Sequence, residues 1–289
     1  MTVPEVRARF ATKFSDIPPS AHGKSWADLW DEGTFLPWDK GCPNPALEDI
    51  LTQRRDDLLG GEAVLFDDGN DDDVGGEKKK VVKRRKKALV PGMGRGYDVC
   101  LLASFGYDAY GVDVSGSAVR EAEREARQSV GRYPVRDEGV GRGVVGFLEV
   151  DFFAEGWLRE EWVTSGEGFD VIYDYTFLSA LHPSTRPLWA LRMSQLLNPT
   201  GVLICVQFPS YKPPNSGGPP WGLPSSVYVE HLTHPGEELK YDENDNVIEE
   251  VGRPVNEKRL HRVAYWQPER THEIGKGSDW VSVWKHPES

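Results

Sequence analysis

The chain has 289 residues and a net charge of −12, long enough to bury one substantial α/β core and too acidic overall to seek nucleic acid or an anionic membrane surface. It has no apolar run of bilayer-spanning length, no apolar centre in the N-terminal MTVPEVRARF, and no CxxC spacing among Cys42, Cys100 and Cys205, which argues against a membrane span, a secretory leader, a zinc site and a disulfide scaffold. The expectation is a single domain over 1–289, cytoplasmic and monomeric, with no metal, nucleic acid or membrane partner.

Residues 1 to about 25 carry Pro18, Pro19 and Gly23 and little apolar periodicity, so they read as a loosely held arm. SWADLWDEGTFLPWDKG follows. Trp26 and Trp30 are four apart, which puts both indoles on one face of a short helix. With Trp38 they either anchor the arm or form an aromatic lid; 1–40 is read as this arm and lid. A sulfonium cation is stabilised by the face of an aromatic ring, and a closed lid keeps water from a reactive methyl donor. PALEDILTQRRDDLL then reads as a helix opened by Pro45.

Between 61 and 87 the chain passes from acid to base. Asp67, Asp68 and Asp71–Asp73 precede Lys78–Lys80 and the run Lys83–Lys87. Blocks of like charge are usually solvated, so this stretch is expected to be a disordered surface insertion, and a nucleic-acid patch is the alternative.

The organising stretch is ALVPGMGRGYDVCLLASFGYDAYGVDVS, 88–115. It predicts a buried strand, a turn through Gly92, Gly94 and Gly96, a helix from Tyr97, and a second strand ending at Asp113. Glycine permits positive φ and close approach of a ligand, and the helix N-terminus aims free N–H groups into the same crevice. A carboxylate at Asp113 can accept both hydroxyls of a ribose. A dinucleotide fingerprint has a third glycine where Tyr97 stands, so the pattern suits a nucleoside without a pyrophosphate, such as S-adenosylmethionine.

SGSAVREAEREAR continues as a helix capped by Ser115. VGFLEVDFF predicts a third strand ending at Asp151, where the acid can take an adenine amino group with Phe152 against the ring. FDVIYDYTFLSALHP is a fourth strand running into a polar turn, followed by a helix through PLWALRMSQLL and the strand VLICVQF. This alternation predicts a parallel sheet with helices on both faces. YKPPNSGGPPWGLP is a long loop and a candidate substrate rim, a short helix spans about 224–233, and RLHRVAYWQPER with SDWVSVWKH closes the chain as an antiparallel edge pair. His231 and His234 stand three apart without a third ligand.

In these segments the chain resembles the thiol and halide methyltransferases, typified by the plant "harmless to ozone layer" proteins, of the thiopurine S-methyltransferase superfamily. The matching pieces are WADLWDEGTFLPWDKG, ALVPGMGRGYDV, GVDVS, VDFF, FDVIYDYTFLSAL, LLNPTGVLI and GGPPW, covering most of 25–222. The resemblance implies a class I, Rossmann-like, S-adenosylmethionine-dependent fold with a doubly wound, mostly parallel seven-stranded sheet. It implies that Trp26, Trp30 and Trp38 close over the cofactor, that Gly92 and Gly94 approach it, that Asp113 holds the ribose and Asp151 with Phe152 the adenine, and that Tyr175 lies near the reacting methyl. His182 stands where the family carries an acid, and Met93 where it carries a cysteine.

The expected reaction is in-line methyl transfer to a small-molecule acceptor, a thiol or halide. A thiolate is nucleophilic without a strong base, its free pKa being about 8.5, and placement alone supplies roughly 7–11 kcal/mol. Tyr175 would orient the methyl or acceptor, and His182 would assist proton removal or merely pack. The alternatives are an O- or N-methyltransferase, which needs a base at His182 or Asp174, a nucleotide-dependent oxidoreductase, and a non-enzymatic methyltransferase-like interaction protein.

Overall fold

The computed structural model describes residues 9, 10, 12–15, 17–66, 82–165 and 168–288. Seven strands form the main sheet: β3 (Lys87–Pro91), β4 (Asp108–Asp113), β5 (Val145–Glu149), β6 (Phe169–Tyr175), β7 (Leu197–Gln207), β8 (His261–Trp266) and β9 (Trp280–Lys285). Their order is β5-β4-β3-β6-β7-β9-β8. The first five strands in that order pair in parallel, whereas β9 is antiparallel to both β7 and β8. This is the doubly wound, mostly parallel sheet with an antiparallel edge that the residue pattern predicts. The strand order reverses direction between β3 and β6, and their C-terminal ends form the crevice.

Side-chain alternation divides the apolar residues between two cores. Ala88 and Val90, Val171 and Tyr173, and Val202, Ile204 and Val206 point to one face. Leu89, Phe169 and Ile172, and Leu203 and Cys205 point to the other. Helices of eight residues or more cover both faces, as buried parallel strands require. The first core takes α2 (Pro45–Gln53), α3 (Tyr97–Ser104) and α4 (Gly116–Gln128). The second takes α5 (Arg186–Leu196) and α6 (Ser225–Thr233). Ahead of them, α1 (His22–Glu32) carries Trp26 and Trp30.

Three expectations need correction. The N-terminal arm is held more firmly than its sequence indicates: Phe10 and Phe14 are buried against Leu29 and Phe35, with Trp26 and Trp38 packed on them. The third strand stops at Glu149 rather than Asp151, because the Asp151 side chain accepts the Phe153 N–H at 2.9 Å and its carbonyl accepts the Ala154 N–H, turning the chain.

The insertion is also narrower than 61–87. Residues 67–81 lie outside the described residues, but β1 (Val64–Phe66) pairs antiparallel with β2 (Val82–Arg85). The end of the basic run is therefore part of the fold. Arg84 forms a two-pronged pair with Asp170 at 2.7 and 2.9 Å, and the Lys87 N–H donates to the same carboxylate at 2.8 Å. Lys86 donates to the Leu59 and Gly60 carbonyls, and the Lys87 ammonium to the Trp162 and Ser165 carbonyls. These cations are spent on interior oxygens rather than displayed to a polyanion.

Replacing Asp170 removes the carboxylate that takes two Arg84 hydrogen bonds and the Lys87 N–H. Asp170→Ala is expected to lower the unfolding free energy by about 2–3 kcal/mol, read as a lower urea midpoint at unchanged slope. A loss below about 0.5 kcal/mol, the size of an ordinary surface substitution, would remove this anchor from the account.

Candidate active site

The turn after β3 has φ of +59° at Gly92 and +53° at Gly94, a backbone region nearly closed to residues with a Cβ. A Cβ at Gly92 would lie 2.4 Å from the Phe177 ring, and one at Gly94 would lie 3.1 Å from the Trp30 indole. The turn's lack of side chains thus lets two aromatic rings rest on its backbone. Phe177, at the turn beyond β6, escaped the sequence reading as a site residue. It also meets Phe152 at 5.2 Å between ring centroids.

The three lid tryptophans come together. Trp38 lies 5.1 Å from Trp26 and 5.9 Å from Trp30, both edge-on. Trp26 donates its indole N–H to the Ala180 carbonyl at 3.3 Å, tying α1 to the turn beyond β6. Asp39 pins the loop carrying Trp38, accepting from Arg95 and from the Tyr97 hydroxyl at 3.1 Å. Tyr97, standing where a dinucleotide fingerprint has glycine, therefore fastens the lid to the glycine turn. Asp39 and Arg95 were not singled out in the sequence; local spacing carries no signal that joins them.

Asp113 is buried at the end of β4. Its Oδ2 accepts the Gly94 N–H and its Oδ1 the Ser115 N–H, each at 3.0 Å. These bonds orient the group, with a further pull from the Val114 N–H, and its remaining acceptor capacity suits a pair of vicinal hydroxyls. Burial pushes its pKa up to about 6, against the pull of those backbone N–H groups. Asp151 is exposed beyond β5, and its neighbour Phe152 is buried on Trp157 and Phe177.

Tyr175 ends β6 with its hydroxyl buried and unpartnered. Burial raises its pKa, with Asp279 and Asp98 adding to the shift, so the phenol stays protonated and is a donor. Its ring lies 5.6 Å from that of His272, on the loop between β8 and β9. Burial and the nearby Lys40 ammonium lower the His272 pKa to about 4. His272 was not picked out in the sequence, because only the return of the β8–β9 loop brings it to Tyr175.

His182 is held by its neighbours. Its Nδ1 accepts the Ser184 N–H at 3.2 Å and lies 2.8 Å from the Ser184 hydroxyl. A neutral imidazole that accepts at Nδ1 carries its proton on Nε2, so neither nitrogen is left to take a proton from an acceptor. His182 caps the short turn Pro183–Thr185 and packs between His22 and Trp221. Asp174, the other candidate base, is buried and accepts from the Trp189 indole at 2.8 Å and the Leu178 N–H at 3.3 Å. His231 and His234 lie apart from the crevice; His231 is bound to the Tyr241 hydroxyl.

The reversal of strand order, the glycine turn, an acid ending the second parallel strand and an indole lid define a Rossmann-like, S-adenosylmethionine-dependent methyltransferase. A solved methyltransferase, the 1,6-didemethyltoxoflavin-N1-methyltransferase of Burkholderia thailandensis, shares this fold with a TM-score of 0.54 and 16% identity, covering 93% of this chain and 88% of that one. The model of the thiopurine S-methyltransferase family matches residues 77–266, and the chain belongs to that family. It is 33% identical to the probable thiol methyltransferase 2 of Arabidopsis thaliana, over 72% of this chain and 70% of that protein. It is 28% identical to the thiocyanate methyltransferase 1 of Brassica oleracea, over 81% and 79%.

The residues present fit such a nucleoside: an oriented buried carboxylate for hydroxyls, an aromatic roof for a sulfonium, and an unpartnered phenol at the strand end. Asp113→Asn should weaken S-adenosylhomocysteine binding roughly 10–100-fold, the worth of hydrogen bonds to a charged group. Because the acceptor form is the carboxylate, wild-type affinity should be full above about pH 7 and fall as the pH drops through 6. Asp98 and Asp174 are also pushed up to about 6 by burial, so calorimetric titration of the Asn variant is the control. A flat wild-type profile between about pH 5 and pH 8 would remove Asp113 from the ribose site.

Proposed function

We propose that this methyltransferase acts on a soft acceptor that arrives as an anion, a thiolate or a halide-like ion, beside Tyr175. Bound S-adenosylmethionine supplies an electrophilic sulfonium methyl. What the chain supplies is orientation, a dry roof and hydrogen-bond donors. The observation that carries this reading is the buried Tyr175 hydroxyl, which has no partner among the described residues. A phenol held protonated can donate to a sulfur or halide anion. Both candidate bases are committed elsewhere, Asp174 to Trp189 and His182 to Ser184, as suits a nucleophile that needs no proton removed at the moment of attack. The thiol and thiocyanate names of the plant relatives support the same acceptor class.

In this reading Trp26, Trp30 and Trp38 exclude water, Gly92 and Gly94 admit the cofactor to the turn, Asp113 orients the ribose, Asp151 and Phe152 border the adenine, and Tyr175 aligns the acceptor with the methyl. His182 acts as a cap and wall. An acceptor with a hydroxyl or amine is favoured by one feature only, the buried Asp279, whose Oδ1 has no partner while Oδ2 takes the Thr271 hydroxyl at 2.5 Å. That carboxylate would then be the base.

Transfer from methyl-labelled S-adenosylmethionine to a panel of thiols, halides, phenols and amines decides between these. Thiols and soft anions are expected to be methylated, with phenols and amines at background. Tyr175→Phe should lower kcat/KM for a thiol roughly tenfold at unchanged S-adenosylhomocysteine affinity, and His182→Gln should stay within about threefold of wild type. A phenol or amine as the best acceptor, together with inactivity of Asp279→Asn, would replace the thiolate reading.

A further inference from the structure

Beyond the lid, His182 borders a second cavity of about 360 Å³, lined also by Arg186, Trp221, His231 and Tyr241. Arg186 opens α5 and is only 2% exposed. Its guanidinium donates to the Gly222 carbonyl at 3.4 Å, and its Nε–H has no partner. Among the described residues no carboxylate forms an ion pair with it. A buried cation left without an anion is costly, and interior charges in proteins are nearly always paired.

The neighbouring groups are donors too. The Arg186 guanidinium is close enough to bear on the Tyr241 phenol, and the Tyr241 hydroxyl lies 2.7 Å from Nε2 of His231. With a cation facing its oxygen, the phenol turns its proton to Nε2. His231 is fully buried, and burial lowers its pKa to about 3. The ring is therefore neutral with its proton on Nδ1, and Nδ1 also lacks a partner. The Trp221 indole N–H is a third buried donor without an acceptor. A buried donor without an acceptor is destabilising. Glu238 and Asp245 line the cavity as well, but both are exposed to water at its rim, where they favour a ligand whose far end is neutral or cationic.

We propose that this cavity binds a small carboxylate, paired with Arg186 and hydrogen-bonded by the Trp221 and His231 N–H groups, as the acid tail of the methyl acceptor or as a free carboxylate effector. A planar guanidinium matches a carboxylate in geometry as well as charge. The His182 ring, 5.1 Å from Trp221 on one side and 5.5 Å from His22 on the other, places the cavity directly against the lid. The acceptor-tail source rests on the thiol reading above; the binding itself does not.

Ligand-observed NMR with the full chain and propionate, with propionamide as the neutral control, reads the cavity without turnover. Propionate is expected to bind saturably and propionamide not, and Arg186→Gln and Trp221→Phe should each weaken propionate at least about tenfold. Trp221→Phe keeps the test decisive if Arg186→Gln does not fold. Kinetics separate the sources. For an acceptor tail, KM for 3-mercaptopropionate falls roughly tenfold below that for 1-propanethiol, and propionate competes with the former. For an effector, propionate alters 1-propanethiol turnover without competing. Absence of saturable propionate binding, or binding that the folded variants leave intact, overturns the proposal. Propionate binding without methylation of any thiol would keep the site and reject only the acceptor reading.

Discussion

The site depends on the contact between the Trp30 indole and the backbone at Gly94. A ring can lie on that turn only where no Cβ intervenes, and Asp39 holds the lid against it through Arg95 and Tyr97. The same turn orients Asp113 through the Gly94 N–H. The indole cluster, the turn and Asp113 are thus joined by direct contacts, so that a movement of the turn would displace all three.

Donors and acids are divided unevenly between the two sites. The chain as a whole carries a net −12, and Asp279 and Asp98 act on the Tyr175 phenol, whereas the cavity beyond His182 holds the donors Arg186, Trp221 and His231. A donor held in low dielectric gains more from an anion than one in water. The buried carboxylates Asp98 and Asp174 are each occupied by neighbouring N–H groups, which keeps them from acting as general bases by default.

Much of the fold was legible because its signals are local and periodic. Short apolar runs marked β3, β6 and β7, Ser115 marked the start of α4, and the four-residue spacing of Trp26 and Trp30 marked one helix face. The basic run misled because charge density says nothing of which carbonyls are near: Lys86 and Lys87 end on interior oxygens contributed by distant segments. The arm misled for a related reason, since two phenylalanines without periodicity still bury well once an indole cluster is there to receive them.

At the site the division is equally physical. Glycines, the strand-end Asp113 and the indoles were readable alone, because each acts through its own backbone position or its own ring. The roles of His182, Asp39, His272 and Arg186 were not, because each is set by a partner that only folding supplies. Ser184 takes the imidazole nitrogen that a base would need, and Arg186 is left beside donors instead of an acid. The amino-acid sequence by itself determined the sheet, the turn and the class of cofactor, since these follow from short-range sterics and alternation. Tertiary structure decided which polar groups remain unpaired, and therefore which chemistry they await, because a hydrogen bond is settled by a few tenths of an ångström between residues far apart in the chain.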